Sequence, residues 1–530
     1  MLAFSRMSFA SESRDTRLDL LLIYPPWAVA EERGNSLMNC LPPLGILSIA
    51  AFVEARGHRV GVVDVHAEKL IDTEVIERVK ARRPRVIGIS VLTNMALPAH
   101  YIARLCKDAV PEAIVVCGGA HAEAMPEAML ANSAIDAIVR GDGEEAALEI
   151  VEGRPFDQVL GLSYRAGPNR VVHNAARPVR MDLDSYPMPA YHLVNFAHYF
   201  PAVGTYRNLP AMNALMTRGC PGKCTFCNSA FTTLRSHSPA NMVEQVKHLR
   251  YTYGVRQIQF YDDTFTVAKQ NVIEFCKRMI EDKVDVTWIA FIRGDCFSRE
   301  IARLMKAAGC HQVLVGIESG DEQIMRNIGK PIDKKRYREA VRIAHEHGIE
   351  VRGSFIIGNV GDTWDTMQAS VDFAKELDLD LFQLNISTPY PGTQLYEYAS
   401  TTGRLLHKNW SEYGQRTVLV RLDDLTPEQV YAFERHAFRA FYLRPRIILR
   451  HIRRVTRLRH LRDLFSTFFA IIVGTMAYRN PRWKRWNSLT EAQFLDLPIA
   501  PPTIPQLTFK LRQETGAEPA VVSTSAELAS

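Results

Sequence analysis

The chain has 530 residues, of which 47% are hydrophobic and 9% aromatic, and its formal net charge is +6 at pH 7. A chain of this length exceeds one ordinary core, so we expect two or three domains, and the apolar content excludes a globally disordered protein. The mild positive charge gives no indication of a nucleic-acid partner. Nine cysteines, an odd and mostly scattered set, exclude a disulfide framework and favour a reducing, cytoplasmic setting.

Targeting and membrane-spanning segments are not predicted. The first 20 residues carry no continuous apolar stretch, so we expect no secretory signal. The longest apolar run, 465–478, is shorter than the roughly 20 residues that a helix needs to cross a bilayer. We therefore expect a soluble or peripheral protein.

The first third alternates strands with helices. The apolar runs LDLLLIY, RVGVVDV, RVIGISV, AIVVCGG and AIDAIV are separated by helical stretches, which predicts a doubly wound parallel sheet over 16–152. Such a sheet binds its ligand at the carboxyl ends of the strands. Small and polar residues cluster there: Ser90, Thr93, Gly118, Gly119, His121, Gly141 and Gly143. Turn chemistry alone is an equally good explanation, and no GxGxxG motif follows the first strand to favour a nucleotide-binding Rossmann domain.

Three cysteines lie in one short turn. A linker rich in proline and arginine, over 153–210, leads to the stretch AMNALMTRGCPGKCTFC, which predicts a strand running into Cys220, Cys224 and Cys227. Three thiolates on one loop can hold three irons of a 4Fe–4S cluster and leave the fourth iron open. Structural zinc is the alternative, but it needs a fourth ligand, and the nearest candidate, His237, lies well beyond the turn.

A second series of strands and helices covers 211–405. The stretches RQIQFYDD, WIAFIRGD, HQVLVGIESG, VRGSFIIGN and LFQLNIST follow the strand before the cysteines, and the six units predict a partial (βα)6 barrel. Active residues of such barrels lie at the carboxyl ends of strands. This sequence has Asp262, Asp263, Arg293, Glu318 and Ser319 there. An internal ion pair is the alternative role for Arg293.

The C-terminal part predicts a helical region over 406–495 and a disordered tail over 496–530. Apolar residues recur at threes and fours from Ile448 to Phe465, with six arginines between them. A core-packed helix with a solvated basic face is the plainer interpretation. Contact of 444–478 with the inner face of an anionic membrane, or with an acidic substrate, is the alternative.

Two parts of the chain resemble known families. The order LLLIYPP, PPLGILSIAAFVEARGH, GISVLTN, VCGGAHAEAMPE and VRGDGEEAALE resembles the cobalamin-binding domain that precedes radical S-adenosylmethionine (SAM) domains. This implies that the corrin lies on Ser90, Thr93, Gly118, Gly119, His121 and Gly141. Many cobalamin carriers ligate cobalt through the histidine of a DxHxxG loop. Here His66 follows Asp64, but Lys69 replaces the glycine and the motif follows the second strand, so we expect no protein histidine below the cobalt.

The motif Cys-x3-Cys-x-Phe-Cys resembles the signature of radical SAM enzymes. This implies that Cys220, Cys224 and Cys227 hold a 4Fe–4S cluster whose open iron binds SAM. Six residues are then expected to contact SAM: Phe226, Asp262, Asp263, Arg293, Glu318 and Ser319. YDDTF stands where others of the family carry Gly-Gly-Glu, Glu318 and Ser319 match the ribose-binding fourth strand, and Arg293 faces the SAM carboxylate.

Together the resemblances imply a cobalamin-dependent radical SAM enzyme that methylates an unactivated carbon of a small-molecule, lipid-like or tetrapyrrole-like metabolite. One SAM would methylate cobalamin, a second would give the 5′-deoxyadenosyl radical, and a flavodoxin or ferredoxin would donate electrons. The alternative is a ring-forming or rearranging enzyme resembling the anaerobic magnesium-protoporphyrin IX monomethyl ester cyclase, in which cobalamin delivers no methyl group. A further alternative is a non-catalytic sensor that binds the cluster and cobalamin.

Overall fold

The computed structural model describes residues 17–27, 40–167, 170–330 and 333–453, together with residues 490 and 493. Its first sheet has seven strands in the order β2-β1-β3-β4-β5-β6-β7. These are β1 (Leu20–Tyr24), β2 (Val60–Asp64), β3 (Val86–Ser90), β4 (Ile114–Gly118), β5 (Ala137–Val139), β6 (Leu162–Arg165) and β7 (Val171–His173). Strands β1 to β5 pair in parallel, which confirms the predicted doubly wound sheet. Strands β6 and β7 extend the sheet in antiparallel fashion into the predicted linker.

Both faces of this sheet are buried. Leu20 and Leu22 belong to one apolar core, whereas Leu21 and Ile23 belong to the other. Alternate side chains of one strand thus enter two cores, as parallel sheets covered on both faces require. The helices are α1 (Leu44–Glu54), α2 (Val65–Glu68), α3 (Asp72–Arg82), α4 (Ala96–Ala109), α5 (Ala120–Ala124), α6 (Pro126–Leu130) and α7 (Glu144–Val151). Helices α1 and α7 pack together, and so do α3 and α4.

The second sheet has six parallel strands in the order β15-β14-β13-β12-β11-β8, which confirms the predicted partial barrel. They are β8 (Ala211–Ala214), β11 (Gln257–Phe260), β12 (Thr287–Ile292), β13 (Cys310–Glu318), β14 (Glu350–Ile357) and β15 (Leu381–Ile386). Strands β8 and β15 form the two edges, so the barrel is open. Two further short strands, β9 (Thr217–Arg218) and β10 (Arg235–Ser236), pair in antiparallel fashion on either side of the cysteine turn.

Helices follow the barrel strands. They are α8 (Pro239–Thr252), α9 (Lys269–Glu281), α10 (Arg299–Ala307), α11 (Glu322–Asn327), α12 (Lys334–Glu346), α13 (Trp364–Glu376) and α14 (Gln394–Thr401). Short polar side chains cap several of them. The Ser238 hydroxyl accepts a hydrogen bond from the Asn241 amide at 3.2 Å, and Thr363 and Thr366 cap each other reciprocally at the start of α13. Such caps satisfy amides that have no partner within the helix.

The region beyond residue 405 is only partly helical. Helices α15 (Pro427–Tyr442) and α16 (Pro445–Arg453) are present, but 406–425 contains only a single 3-10 turn, Trp410–Glu412, and an isolated bridge from Leu405 to Val420. The reason is packing, since Trp410, Tyr413 and Leu419 are buried in a core of the first domain. Residues 454–489 and the predicted tail over 496–530 lie outside the described residues.

Helix α16 docks on the barrel through its basic face. The Arg450 guanidinium pairs with Asp378 at 2.8 Å and with Asp380 at 3.2 Å, and Arg446 pairs with Asp378 at 2.7 Å. This part of the arginine-rich stretch is therefore a packed helix rather than a free basic face. Within the described parts of the chain, no helix combines the length and the apolar character needed to cross a bilayer.

Candidate active site

A cavity of about 1010 Å³ opens at the carboxyl ends of the barrel strands and faces the first domain. Four strands of the barrel, β12 to β15, each contribute a residue to its lining: Phe291, Gly316, Ser354 and Gln383. Its lining also includes first-domain residues and the segment that follows α14. These are Trp27, Leu92, Thr93, Asn94 and Ala120, and Ser411 to Thr417. The cavity therefore lies where barrel enzymes keep their reacting groups.

The three cysteines lie on the loop between β9 and β10, at one wall of this cavity. The loop is closed by its own backbone, because the Phe231 amide donates to the Gly222 carbonyl at 2.8 Å and the Thr232 amide donates to the Cys220 carbonyl at 3.1 Å. The Thr225 amide donates to Ile328 O at 3.0 Å and ties the loop to the barrel. Phe226 and Cys227 line the cavity.

The donor set of the loop suits an iron–sulfur cluster. All three thiols are partly buried, and burial raises the pKa of Cys224 to about 11, with Cys227 and Cys220 adding to the increase. Cluster binding takes the cysteines as thiolates and removes these protons. In the described residues no group of three His, Cys, Asp or Glu side chains converges on a single metal ion. Cysteines that bind different irons of one cluster lie further apart than the ligands of one ion. The predicted zinc candidate, His237, instead bonds to Asp184 at 3.0 Å.

Four of the six residues expected to contact SAM line the cavity: Phe226, Asp263, Arg293 and Glu318. Glu318 reaches it because a register irregularity between β13 and β14 falls at Gly316 and Glu318, and because its φ is 68°. Irregularities of this kind redirect a side chain, and a non-glycine residue at positive φ is typical of a functional site. Arg293 also forms an internal ion pair, the alternative role considered for it, because its guanidinium donates two hydrogen bonds to the Asp295 carboxylate at 3.0 and 2.9 Å.

The other two, Asp262 and Ser319, lie beneath the cavity wall. Asp262 is 1% exposed and accepts hydrogen bonds from the amide and the hydroxyl of Thr217 at 2.5 and 2.7 Å. Burial raises its pKa to about 7. Ser319 is equally buried, and its hydroxyl accepts from the Asp321 amide at 3.1 Å. Both residues therefore fix the backbone that carries the site: Asp262 holds β9 and Ser319 holds the turn after β13.

One cavity residue that the sequence did not reveal is Lys330. Its ammonium group donates to Glu318 Oε1 at 2.7 Å and to Gly316 O at 2.9 Å. Burial lowers the pKa of Lys330, but Glu318, Tyr337 and Cys224 together outweigh burial and leave the pKa raised. The cation also lowers the pKa of Cys224. No motif in the sequence marks this lysine, because the contact is formed by a turn twelve residues beyond Glu318.

A second cavity, of about 430 Å³, lies in the first domain between the sheet and helices α1 and α7. Four of the residues expected to contact cobalamin line it: Ser90, Gly118, Gly119 and Gly141. Gly119 and Gly141 have φ values of 103° and 81°, and a side chain on Gly119 would lie 2.9 Å from Val91 O, so the strand ends present bare backbone. Leu92, which is 40% exposed, lines both cavities, so the two are neighbours at this residue.

The remaining two cobalamin candidates are placed differently. Thr93 lines the large cavity rather than the second one. His121 lines neither, since it is 1% exposed and its ring lies 4.9 Å from the ring of Trp410. Burial lowers the pKa of His121 to about 3, so it is a neutral core residue. The sequence placed it at the strand end correctly but could not show which way its ring points.

His66 lines neither cavity and lies behind Trp27, which lines the large one. Its ring stacks on Trp27 at 4.7 Å, its Nδ1 accepts from the Trp27 amide at 3.4 Å, and burial lowers its pKa to about 4. We therefore predict that His66→Ala leaves the spectrum of bound cob(II)alamin unchanged, with no hyperfine splitting from a protein nitrogen. Electron paramagnetic resonance of the two proteins tests this, and a nitrogen splitting that disappears in the variant would show that His66 ligates cobalt.

Comparison with known proteins bears on this site. The family model "B12 binding domain" matches residues 33–151, and the model "Radical SAM superfamily" matches residues 215–374. An uncharacterised methyltransferase of Pyrococcus horikoshii is 35% identical over 443 residues, which cover 82% of this chain and 95% of that protein. The chain belongs to the cobalamin-dependent radical SAM family. It is a radical SAM enzyme, and its cofactors are a 4Fe–4S cluster, SAM and cobalamin.

Two further relatives and one solved structure show lower identity. The cytidylyl-2-hydroxyethylphosphonate methyltransferase of Streptomyces wedmorensis is 29% identical, over 68% of this radical SAM enzyme and 78% of that protein. The anaerobic magnesium-protoporphyrin IX monomethyl ester cyclase of Rubrivivax gelatinosus is 25% identical, over 71% and 69% of the two chains. The solved structure of OxsB, a cobalamin-dependent SAM radical enzyme, superposes with a TM-score of 0.67 at 15% identity, over 86% of this chain and 72% of that one, which shows a shared fold.

Proposed function

We propose that this enzyme transfers a methyl group to an unactivated carbon of a small-molecule metabolite. The observation that carries the proposal is that the large cavity is lined both by the cysteine loop and by the strand ends of the first domain, where Leu92 also lines the second cavity. A substrate in the large cavity lies beside the cysteine loop on one side and beside the strand ends of the first domain on the other. Both cofactors can therefore reach one substrate carbon.

The chain's own residues would hold the cofactors at the large cavity. Cys220, Cys224 and Cys227 would ligate the cluster, and Phe226 would cover it toward the cavity. Asp263 would accept from the SAM ammonium group, Glu318 from the ribose hydroxyls, and Arg293 would face the SAM carboxylate. Asp262 and Ser319 would support these contacts from beneath. When bound, the cluster and SAM supply a 5′-deoxyadenosyl radical and cobalamin supplies the methyl group.

On the first domain, Ser90, Gly118, Gly119 and Gly141 would line the cobalamin site, with Thr93 facing the substrate side. His121 would contribute through packing on Trp410 rather than through contact with the corrin. The substrate cavity combines aromatic and polar walls, because Phe291 and Tyr431 line it together with Gln383, Asn385 and Arg416. These walls favour a metabolite with both apolar and hydrogen-bonding parts.

Further partners follow from the reaction. Each radical requires one electron from outside the chain, so we include a flavodoxin or ferredoxin as the donor. We place the enzyme in the cytoplasm. Within 444–478, we propose contact with a membrane surface for α16, where Leu449 and Ile452 are 48% and 53% exposed.

Methyl-labelled SAM tests the proposal. The enzyme is incubated with a strong reductant and an extract of small molecules from the producing organism. We expect label to enter cobalamin first and then one metabolite, which mass spectrometry of the extract identifies. Cyclisation is the second candidate, because some of the similar proteins are cyclases. It would give substrate-dependent 5′-deoxyadenosine with no label in any product.

A further inference from the structure

Two arginines mark the base of the cysteine loop, and they face each other. Arg218 ends β9, Arg235 begins β10, and the two are direct partners in the antiparallel pair. The cysteines lie between them, with Cys220 only two residues beyond Arg218. Like charges directly opposite one another in an antiparallel pair destabilise it. This two-residue pair therefore requires a compensating negative charge.

The first domain supplies that charge. Asp142 and Glu144, in and just after the loop that follows β5, meet both arginines. Arg235 forms a close ion pair with Asp142, and Arg218 Nη2 donates to Glu144 Oε1 at 2.8 Å while its Nη1 lies 3.7 Å from Asp142. Arg235 and Glu144 are nearly buried, with side-chain exposures of 8% and 3%. We call these four residues the loop clamp.

The loop clamp is continuous with the wall of the cobalamin cavity. Asp142, Glu144 and Arg218 all line the second cavity, as do Gly141 and Gly143 on either side of Asp142. The other side of β9 is held by the barrel, because Asp262 accepts two hydrogen bonds from Thr217. The cysteine loop thus extends from a strand pair, β9 and β10, that is held by both domains.

We propose that the loop clamp couples occupancy of the cobalamin cavity to the order of the cysteine loop. Arg218 and Arg235 are positioning residues: neither lines the large cavity, and their ion pairs keep the loop in register with the first domain. A ligand that restrains Gly141 to Glu144 restrains the two carboxylates, and these hold the base of the loop closed. The purpose of the coupling rests on the proposed function, because a transfer between two cofactors requires them to stay aligned.

Hydrogen exchange of the full-length, cluster-loaded enzyme tests the coupling without any methyl transfer. Amides of 219–234 are followed with and without aquacobalamin as the probe. In the wild type we expect aquacobalamin to slow exchange in this loop. In Asp142→Asn we expect exchange at least about tenfold faster and no response to aquacobalamin, because the two facing cations, of which Arg235 is nearly buried, lose the carboxylate that they share.

Two further variants give the result its specificity. Asp142→Asn combined with Arg235→Gln removes one of the facing cations and should recover slow exchange to within about threefold of the wild type. Glu149→Gln on α7 breaks the ion pair with Arg177 (2.5 Å), away from the cysteine loop, and should behave as the wild type. Wild-type exchange in Asp142→Asn, no recovery in the double variant, or no response of the wild type to aquacobalamin would each overturn the coupling.

A milder variant covers the case in which Asp142→Asn does not fold. Arg218→Lys keeps the charge but loses the second nitrogen, so it can no longer reach Asp142 and Glu144 together. We expect intermediate exchange in 219–234, and exchange equal to the wild type would count against the proposal. If no methyl label reaches a product but aquacobalamin still slows exchange in the loop, methyl transfer alone is rejected. If label reaches a product but aquacobalamin does not change exchange in the loop, the coupling alone is rejected.

Discussion

Replacing Cys220, Cys224 and Cys227 together with alanine is expected to abolish cluster binding and all cleavage of SAM. The reason is that these are the only cysteines on the β9–β10 loop, and each would supply one iron ligand. The fold should persist, since the three side chains are only partly buried and such substitutions usually cost about 1 kcal/mol or less. Iron and sulfide analysis after anaerobic reconstitution measures the cluster, and the release of 5′-deoxyadenosine measures cleavage.

The matched control is Cys296→Ala. This cysteine is also partly buried and lies beside Asp295, the ion-pair partner of Arg293, but it is not on the loop. We expect it to keep about four irons per chain, as one 4Fe–4S cluster requires. A triple variant that retained the cluster absorbance would reject the assignment of these cysteines.

The second large effect is expected from filling the cobalamin cavity. Gly45 of α1 lines this cavity, and a Cβ atom added there meets no atom within 4 Å. Gly45→Trp therefore places an indole in the cavity without a backbone clash. We expect the affinity for aquacobalamin to fall at least about tenfold, which corresponds to about 1.4 kcal/mol. Equilibrium dialysis followed by absorbance of the retained cobalamin measures the loss.

Gly45→Ala is the control for this variant, because it alters the helix backbone in the same way but leaves most of the cavity open. Cluster content should be preserved in both, since Gly45 is on α1 and all three cysteines are on the β9–β10 loop. Normal cobalamin binding by Gly45→Trp would mean that cobalamin binds elsewhere on the protein.

The sequence was most informative where a pattern repeats. Parallel strands buried on both faces appear as continuous apolar runs, so all five parallel strands of the first sheet and all six barrel strands were predicted. The cysteine turn was also evident, because three thiols at this spacing in one loop have few structural explanations. Strands β6 and β7 were missed, since they are short and lie in a polar, proline-rich stretch without alternation.

Side-chain direction was the part that the sequence could not give. Asp262 and Asp263 are neighbours just beyond β11, yet the first is buried against Thr217 and the second lines the cavity. Lys330 and the segment from Ser411 to Thr417 reach the cavity through long-range packing. The latter was predicted to be helical, but burial of Trp410 and Tyr413 against the first domain overrides local preference.

The ratio of the two products of SAM tests the central claim most directly. Methyl transfer of this kind consumes two molecules of SAM per turnover, because the methyl group and the radical come from separate molecules. With the substrate present, we therefore predict S-adenosylhomocysteine and 5′-deoxyadenosine in similar amounts. Both are quantified by chromatography and mass spectrometry. In the triple cysteine variant, we expect the substrate to increase neither product above background. Substrate-dependent 5′-deoxyadenosine with little or no S-adenosylhomocysteine would contradict methyl transfer and favour the cyclase reaction.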